Sequence, residues 1–105
     1  MALTREFKDT VQARARRDAG FREALLREAL EALLADDVDT GKAMLRDYIN
    51  ATVGFARLGL VTKTSPKSLM RMFGPRGNPQ ARNLFAVISQ LQKQTGVTLK
   101  VRASA

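Results

Sequence analysis

The stretch of sequence that decides the fold is SPKSLMRMFGPRGNP, residues 65–79. Ser65 followed by Pro66 is a helix-start signal, because a serine side chain can accept a bond from a free backbone amide and proline suits the first helical position. Gly74 ends the segment. Helical spacing predicts two faces for the residues between these signals: Leu69, Met72 and Phe73 inward, and Lys67, Ser68 and Arg71 outward.

Two further short helices are predicted beside this one. Upstream, residues 55–61 form an apolar segment that follows Gly54. Downstream, Asn78-Pro79 repeats the cap-and-proline signal for a helix that ends near Thr95. Three short helices with tight connections are the layout of a helix-turn-helix inside a helical DNA-binding domain.

The N-terminal part carries three more helical patterns. A helix capped by Thr4 runs to about residue 17, a second opens at Phe21 after a break, and a third is capped by Asp39 or Thr40. The basic cluster at the end of the first helix is expected to stabilise the helix C-terminus, with a phosphate or toxin contact as the alternative: Arg14, Arg16 and Arg17.

At the other end of the chain, residues 97–101 alternate apolar and polar side chains, which predicts a short two-faced strand. The fold predicted from these patterns is all-α. It has a helical extension over residues 1–38, a helix-turn-helix DNA-binding domain over residues 39–105, and the short C-terminal strand.

The charge of the chain is asymmetric. Residues 1–47 hold nine basic and ten acidic residues, whereas residues 48–105 hold nine basic residues and no acidic one, so the formal charge of +8 resides in the second half. A half-chain without acids cannot neutralise its cations internally. It should present a positive field to a polyanion, of which nucleic acid is the commonest. A solubilising surface is the alternative.

Composition excludes several classes of protein. The chain has no Cys and no His, which removes disulfides, thiolate metal sites and the usual general base. It has no apolar run near 18 residues and no apolar signal segment. We therefore expect a cytoplasmic, non-catalytic protein that needs no cofactor.

Asp36, Asp37 and Asp39 do not have the spacing of a calcium loop and fit helix-end positions instead.

The outward face of the residue 65–73 helix has the side chains that read DNA. A major groove admits one helix, where Arg and Lys recognise guanine edges and Ser suits either base type. Arg76 and Asn78, at the start of the next helix, offer a second contact to phosphate. The alternative to DNA binding is that these are two ordinary capped helices whose charged faces are solvated. Aromatic residues make up 6% of the chain and none lies among the basic residues, which argues against single-stranded RNA. A structural or RNA-binding helical module remains the second functional class.

Several segments resemble the antidote family of HigBA-type toxin–antitoxin modules, short regulators with an Xre-like (lambda-repressor-like) helix-turn-helix. They are FREALLRE at 21–28, DVDTGKAML at 37–45, LRDYINATVGF at 45–55, SLMRMFGPRGNP at 68–79 and NLF at 83–85. The likeness extends from about residue 7 to residue 101, and its most specific part is residues 68–79.

The resemblance implies two activities: repression of the module's own operator, and neutralisation of a small RelE/ParE-like toxin. It places the recognition helix at residues 65–73, with Lys67, Ser68 and Arg71 as base readers. The turn before that helix, residues 61–65, departs from the family because its glycine, Gly59, lies upstream. The full set of expected DNA-binding residues is Lys63, Thr64, Ser65, Lys67, Ser68, Arg71, Arg76, Asn78 and Arg82. A stand-alone helix-turn-helix regulator is the alternative.

The toxin surface is expected on the N-terminal half, because the basic half would be occupied by DNA. On the second helix, Glu23, Arg27 and Glu31 recur at fourfold spacing along one exposed stripe, and Glu28 could widen it. Ordinary solvated charges are the alternative. A homodimer is also expected, since one such domain reads a single half-site. Pairing of residues 97–101 between two copies is one candidate interface, and a tail docked on the last helix is its competitor.

Overall fold

The computed structural model describes residues 5–105, with side chains described from Thr10 onward. Its six helices, in chain order, are α1 (Arg5–Arg17), α2 (Ala19–Leu34), α3 (Val38–Ala51), α4 (Phe55–Thr62), α5 (Pro66–Met72) and α6 (Ala81–Thr95). The predicted all-α class is confirmed over these residues. The predicted cap at Thr4 lies outside them. No helix within residues 5–105 is long and apolar enough to cross a membrane.

The junction of α1 and α2 is a single residue. Asp18 follows α1 directly, and its side chain caps α2 by accepting a bond of 3.1 Å from the Phe21 amide. α2 therefore begins at Ala19, two residues earlier than predicted. Arg14 lies 3.7 Å from the Asp18 carboxylate and 4.5 Å from the centre of the Phe21 ring, so it holds both sides of the junction.

The start of α3 also differs from the prediction. The helix begins at Val38 with Asp37 at the cap position, so neither Asp39 nor Thr40 is the cap. The backbone explains the earlier start, because the Asp37 carbonyl accepts a bond of 3.1 Å from the Gly41 amide. Gly41 is required where α3 meets α2: a Cβ at this position would lie 2.7 Å from the Leu33 side chain.

One hydrophobic core joins all six helices. α1 and α2 pack against α3, and α4 packs against α5 and α6. The largest fully buried side chains come from five helices and the residue after α5: Leu26, Leu45, Tyr48, Ile49, Leu58, Leu69, Phe73, Val87 and Leu91. This core fixes α4 and α5 relative to the rest of the chain.

The connection between α4 and α5 spans three residues. Lys63 ends α4 in the left-handed region at φ 55°, and Ser65 caps α5 as predicted, with Pro66 as the first helical residue. Gly59 allows the turn to lie close to α4, because a Cβ there would be 2.6 Å from the Thr64 carbonyl oxygen. Gly59, which lies upstream of the turn in the sequence, therefore contacts the turn in the folded chain.

The predicted start of α6 at Asn78-Pro79 is wrong. α6 begins at Ala81, after Gln80, whose backbone is extended. Gly77 lies against the end of α5, where a Cβ would be 2.5 Å from the Met72 carbonyl oxygen. Residues 78–80 lie outside any helix and connect this point of the chain to α6.

The predicted C-terminal strand is also wrong, since residues 97–101 contain no strand. Val97 and Leu99 are half-buried against the core of their own chain, and the Leu99 amide donates to Gln92 Oε1 at 2.9 Å. The alternation of apolar and polar residues thus reflects one docked face of an extended tail. The docked-tail alternative is the one observed, and strand pairing between copies loses its basis.

Candidate nucleic-acid interface

The outer face of α5 carries the three predicted base readers. Lys67, Ser68 and Arg71 are all exposed, while Leu69 on the opposite side is fully buried. Lys67 and Arg71 are four residues apart, so they lie on the same stripe of the helix. The burial of Leu69 therefore orients α5 so that this polar stripe faces outward.

The two serines of α5 have different roles. Ser65 Oγ accepts a bond from the Ser68 amide at 3.1 Å and donates to Ser68 Oγ at 2.8 Å. Ser65 therefore uses its hydroxyl within the helix cap. Ser68 accepts from Ser65 and keeps its own hydroxyl proton for another acceptor.

In the turn before α5, Lys63 is exposed and Thr64 is half-buried. The Thr64 amide donates to the Gly59 carbonyl at 3.0 Å, and its hydroxyl donates to the Thr62 carbonyl at 3.2 Å. Thr64 is thus occupied in holding the turn. Of the two residues, Lys63 is the one whose side chain is free to reach a phosphate.

Beyond α5, the predicted backbone contacts Arg76, Asn78 and Arg82 are all exposed. Arg76 lies within a tightly held loop, and Asn78 and Arg82 follow that loop. The Gly77 amide donates to the Gly74 carbonyl at 3.0 Å, which closes a turn directly after α5.

Lys42 of α3 binds this loop through its buried side chain, and the sequence analysis did not predict this contact. The side chain is only 3% exposed, and its Nζ donates to the carbonyl oxygens of Gly74 at 3.0 Å and Gly77 at 2.6 Å. A signal was present, since Lys42 shares the helical stripe of Leu45 and Ile49, both fully buried. A lysine on an apolar face indicates a buried contact with carbonyl oxygens or an acid.

The positive charge of this surface is not compensated. Among the described residues, ion pairs join Arg14 to Asp18, Arg27 to Glu31 and Lys42 to Asp39, all within residues 14–42. None of these pairs involves the basic residues around α5, which are Lys63, Lys67, Arg71, Arg76 and Arg82. Their charges remain available to an anionic partner.

The predicted acidic stripe on α2 is exposed, and so is Glu28 beside it. Within the stripe, Arg27 pairs with Glu31 at 3.9 Å. Leu34 is 79% exposed and continues the stripe three residues after Glu31. The surface therefore combines carboxylates with one large apolar side chain.

Within residues 10–105, no group of three or more His, Cys, Asp or Glu side chains is arranged to hold a metal ion. Comparisons of the chain with protein-family models, with curated proteins and with solved structures found no match.

Proposed function

We propose that this protein is a non-catalytic antitoxin that binds operator DNA through α5 and neutralises a RelE/ParE-like toxin. The observation that carries the DNA-binding part is the uncompensated basic face of α5. Two core residues, Leu69 and Phe73, hold that helix in place, and a three-residue turn joins it to α4. A short turn between two helices is one feature that a helix-turn-helix requires, and it supports this proposal.

In the proposed complex, α5 enters the major groove. Lys67 and Arg71 donate to guanine edges, and Ser68 donates its free hydroxyl proton to a base acceptor. The flanking residues contact the phosphate backbone and set the register: Lys63 in the turn, and Arg76, Asn78 and Arg82 after α5. Ser65 and Thr64 support this surface by holding the turn and the cap.

Binding to a palindromic operator requires two copies, because one helix reads one half-site. We propose a homodimer whose interface leaves α5 free. We do not place this interface on the C-terminal tail, because Val97 and Leu99 are half-buried against the core of their own chain.

The DNA-binding part is tested by fluorescence anisotropy with duplex DNA from upstream of the gene. Affinity should fall steeply as salt rises, because phosphate contacts release counterions. Arg71→Ala should lower affinity by about 1–3 kcal/mol and relax one base position, whereas Arg76→Ala should weaken all sequences alike. Lys93→Ala, an exposed cation in the last turn of α6, is the matched control. Unchanged affinity and specificity in Arg71→Ala would show that α5 is not the recognition helix.

The toxin part rests on the family resemblance and on the surface of α2. A basic nuclease would be attracted by Glu23, Glu28 and Glu31, and Leu34 supplies an apolar contact beside them. This surface belongs to α2, a different helix from those that carry the proposed DNA contacts. The same antitoxin could therefore hold operator and toxin together.

The toxin surface is tested with the double charge reversal Glu23→Lys and Glu31→Lys. The variant should associate more slowly with the toxin of the neighbouring gene, most clearly at low salt, while its operator affinity barely changes. Toxin activity and DNA binding are titrated on the same preparation. Full neutralisation at wild-type affinity rejects this surface as the toxin site. Failure of the wild-type protein to bind or neutralise the toxin would instead favour the stand-alone regulator.

One observation favours RNA as a second candidate. The expectation that no aromatic lies among the basic residues is wrong for Phe85, which is 59% exposed and lies one helical turn after Arg82. This pairing of aromatic and cation suits an unpaired base. Phe85→Ala should leave duplex DNA binding unchanged if α5 reads a groove. A larger loss for single-stranded RNA than for duplex DNA would favour the RNA-binding module.

A further inference from the structure

A second basic site lies away from α5. A cavity of about 420 Å³ forms where the α1–α2 junction, the end of α3, the first turn of α4 and the end of α6 meet. Three arginines line it, Arg16, Arg22 and Arg57, and its other lining side chains are uncharged. These arginines are far apart in sequence, so only the packing of the helices brings them to one cavity.

Neutral groups hold the three arginines in place. Arg22 Nη1 donates to the carbonyl oxygens of Ala15 at 2.9 Å and Arg16 at 3.1 Å, and Arg57 Nε donates to Gln94 Oε1 at 3.1 Å. Arg16 makes only a long contact of 3.5 Å with the Asn50 carbonyl.

None of the three forms an ion pair with a described residue. Their positive charges are therefore positioned but not neutralised.

The wall of the cavity is fixed from the core side. Tyr48 is fully buried and donates its hydroxyl to Thr95 Oγ1 at 2.8 Å, and Thr95 in turn donates to the Leu91 carbonyl at 2.7 Å. Arg57 retains both terminal Nη nitrogens, since its contact with Gln94 uses Nε. An arginine fork presented in this way matches the paired oxygens of a phosphate group.

We infer that this cavity binds the diphosphate group of a small phosphorylated ligand. Three arginines that line one cavity suit a multiply charged anion better than a single carboxylate. No aromatic side chain lines the cavity, so the phosphates and not a base would be recognised.

The cavity lies at the N-terminal end of α4, where Arg57 lines it. The turn to α5 follows the C-terminal end of the same helix. The position of the cavity separates it from the proposed groove-reading face, and this inference does not depend on DNA binding.

The test uses the full chain and pyrophosphate as the probe, by isothermal titration calorimetry at low salt without DNA. Wild type should bind one pyrophosphate per chain. Arg57→Gln and Arg16→Gln should each weaken binding about tenfold through loss of a charge-assisted contact. Arg17→Gln removes the same charge from an exposed neighbour that does not line the cavity, and should change affinity less than twofold. Arg22 is left intact because it also bonds the end of α1.

Three results would overturn the inference. The first is absence of saturable pyrophosphate binding by the folded wild type, with folding checked by circular dichroism. The second is an equal loss of affinity in Arg17→Gln and Arg57→Gln, which indicates a diffuse field and not a site. The third assigns the cavity to the DNA backbone: a duplex displaces pyrophosphate, and Arg57→Gln weakens duplex binding far more than Arg17→Gln does.

Discussion

The two halves of this molecule use their charged residues in different ways. In α1–α3, cations pair with acids: Arg14 with Asp18, Arg27 with Glu31, and Lys42 with Asp39. In α4–α6, polar side chains bond to neutral groups, as Arg57 does with Gln94. The basic side chains around α5 face outward without an acidic partner.

This difference shows how a surface with unpaired positive charge can be held in shape. Ion pairs would consume the cations that a polyanion needs, so the shape must come from other contacts. Here it comes from buried Leu69, from close backbone approaches at Gly59 and Gly77, and from Lys42, a residue of the other half. The N-terminal half thus supports the basic half without neutralising it.

The largest effect is expected at Gly77. Gly77→Ala should destabilise the fold by about 3 kcal/mol, because its Cβ would overlap backbone oxygens of Arg71 and Met72 that cannot move aside easily. Thermal or urea unfolding measures the change. The matched substitution in the other half is Gly20→Ala, whose Cβ comes no closer than 3.4 Å to another atom. It should be neutral or stabilising, by up to about 1 kcal/mol. Equal effects at both glycines would contradict the difference between the halves.

Lys42→Met tests the link between the halves. The substitution keeps much of the buried stem but leaves the carbonyl oxygens of Gly74 and Gly77 without their donor, at a cost of about 2 kcal/mol. Urea unfolding gives the loss. Hydrogen exchange should also show faster opening of the Gly77 amide.

The control is Asp39→Asn, because the Asp39 carboxylate is 92% exposed and its pair with Lys42 should contribute little. If Asp39→Asn lowered the free energy of unfolding as much as Lys42→Met does, the stability would come from the ion pair and not from the two bonds to carbonyl oxygens.

A smaller effect, of opposite sign, is expected in the turn of the basic half. Lys63 has a left-handed backbone at φ 55°, which is unfavourable for a residue with a side chain. Lys63→Gly should therefore stabilise the fold by about 0.5–1 kcal/mol relative to Lys63→Ala, which loses the same charge but keeps the strain. Melting curves of the two variants give the comparison, and a less stable glycine variant would show that the turn carries no such strain.

The smallest effect is the pH dependence of stability that Asp18 gives to the N-terminal half. The bond from the Phe21 amide lowers the pKa of Asp18, with a further contribution from the Arg14 charge. A carboxyl with a lowered pKa stabilises the fold above its unfolded pKa of about 4, and this contribution is lost as pH falls through the folded value. Asp18→Asn can still cap α2 but does not titrate. Its stability should thus change less than that of wild type between pH 5 and pH 2, as followed by circular dichroism; identical profiles would exclude Asp18 as a contributor.

Sequence reasoning succeeded for local features and failed where distant segments meet. The cap at Ser65, the outward face of α5 and the end of α6 near Thr95 all depend on neighbouring residues. The start of α6 was misplaced because Gly77 is held against α5. The sequence pattern predicted a strand in the tail. Apolar and polar residues alternate in the same way whether one face packs on another strand or on the chain's own helix.

The sequence by itself determined an all-helical chain with its acids confined to the first 47 residues and a capped helix whose basic face has no acidic neighbour. Helical periodicity, caps and charge are local or additive, so they can be read along the chain. Only the tertiary structure decided that Lys42 is buried against the Gly74–Gly77 loop, that Leu34 is exposed, and that three arginines share a cavity. Those facts depend on which helix covers which face, and that is set by contacts between residues far apart in the chain.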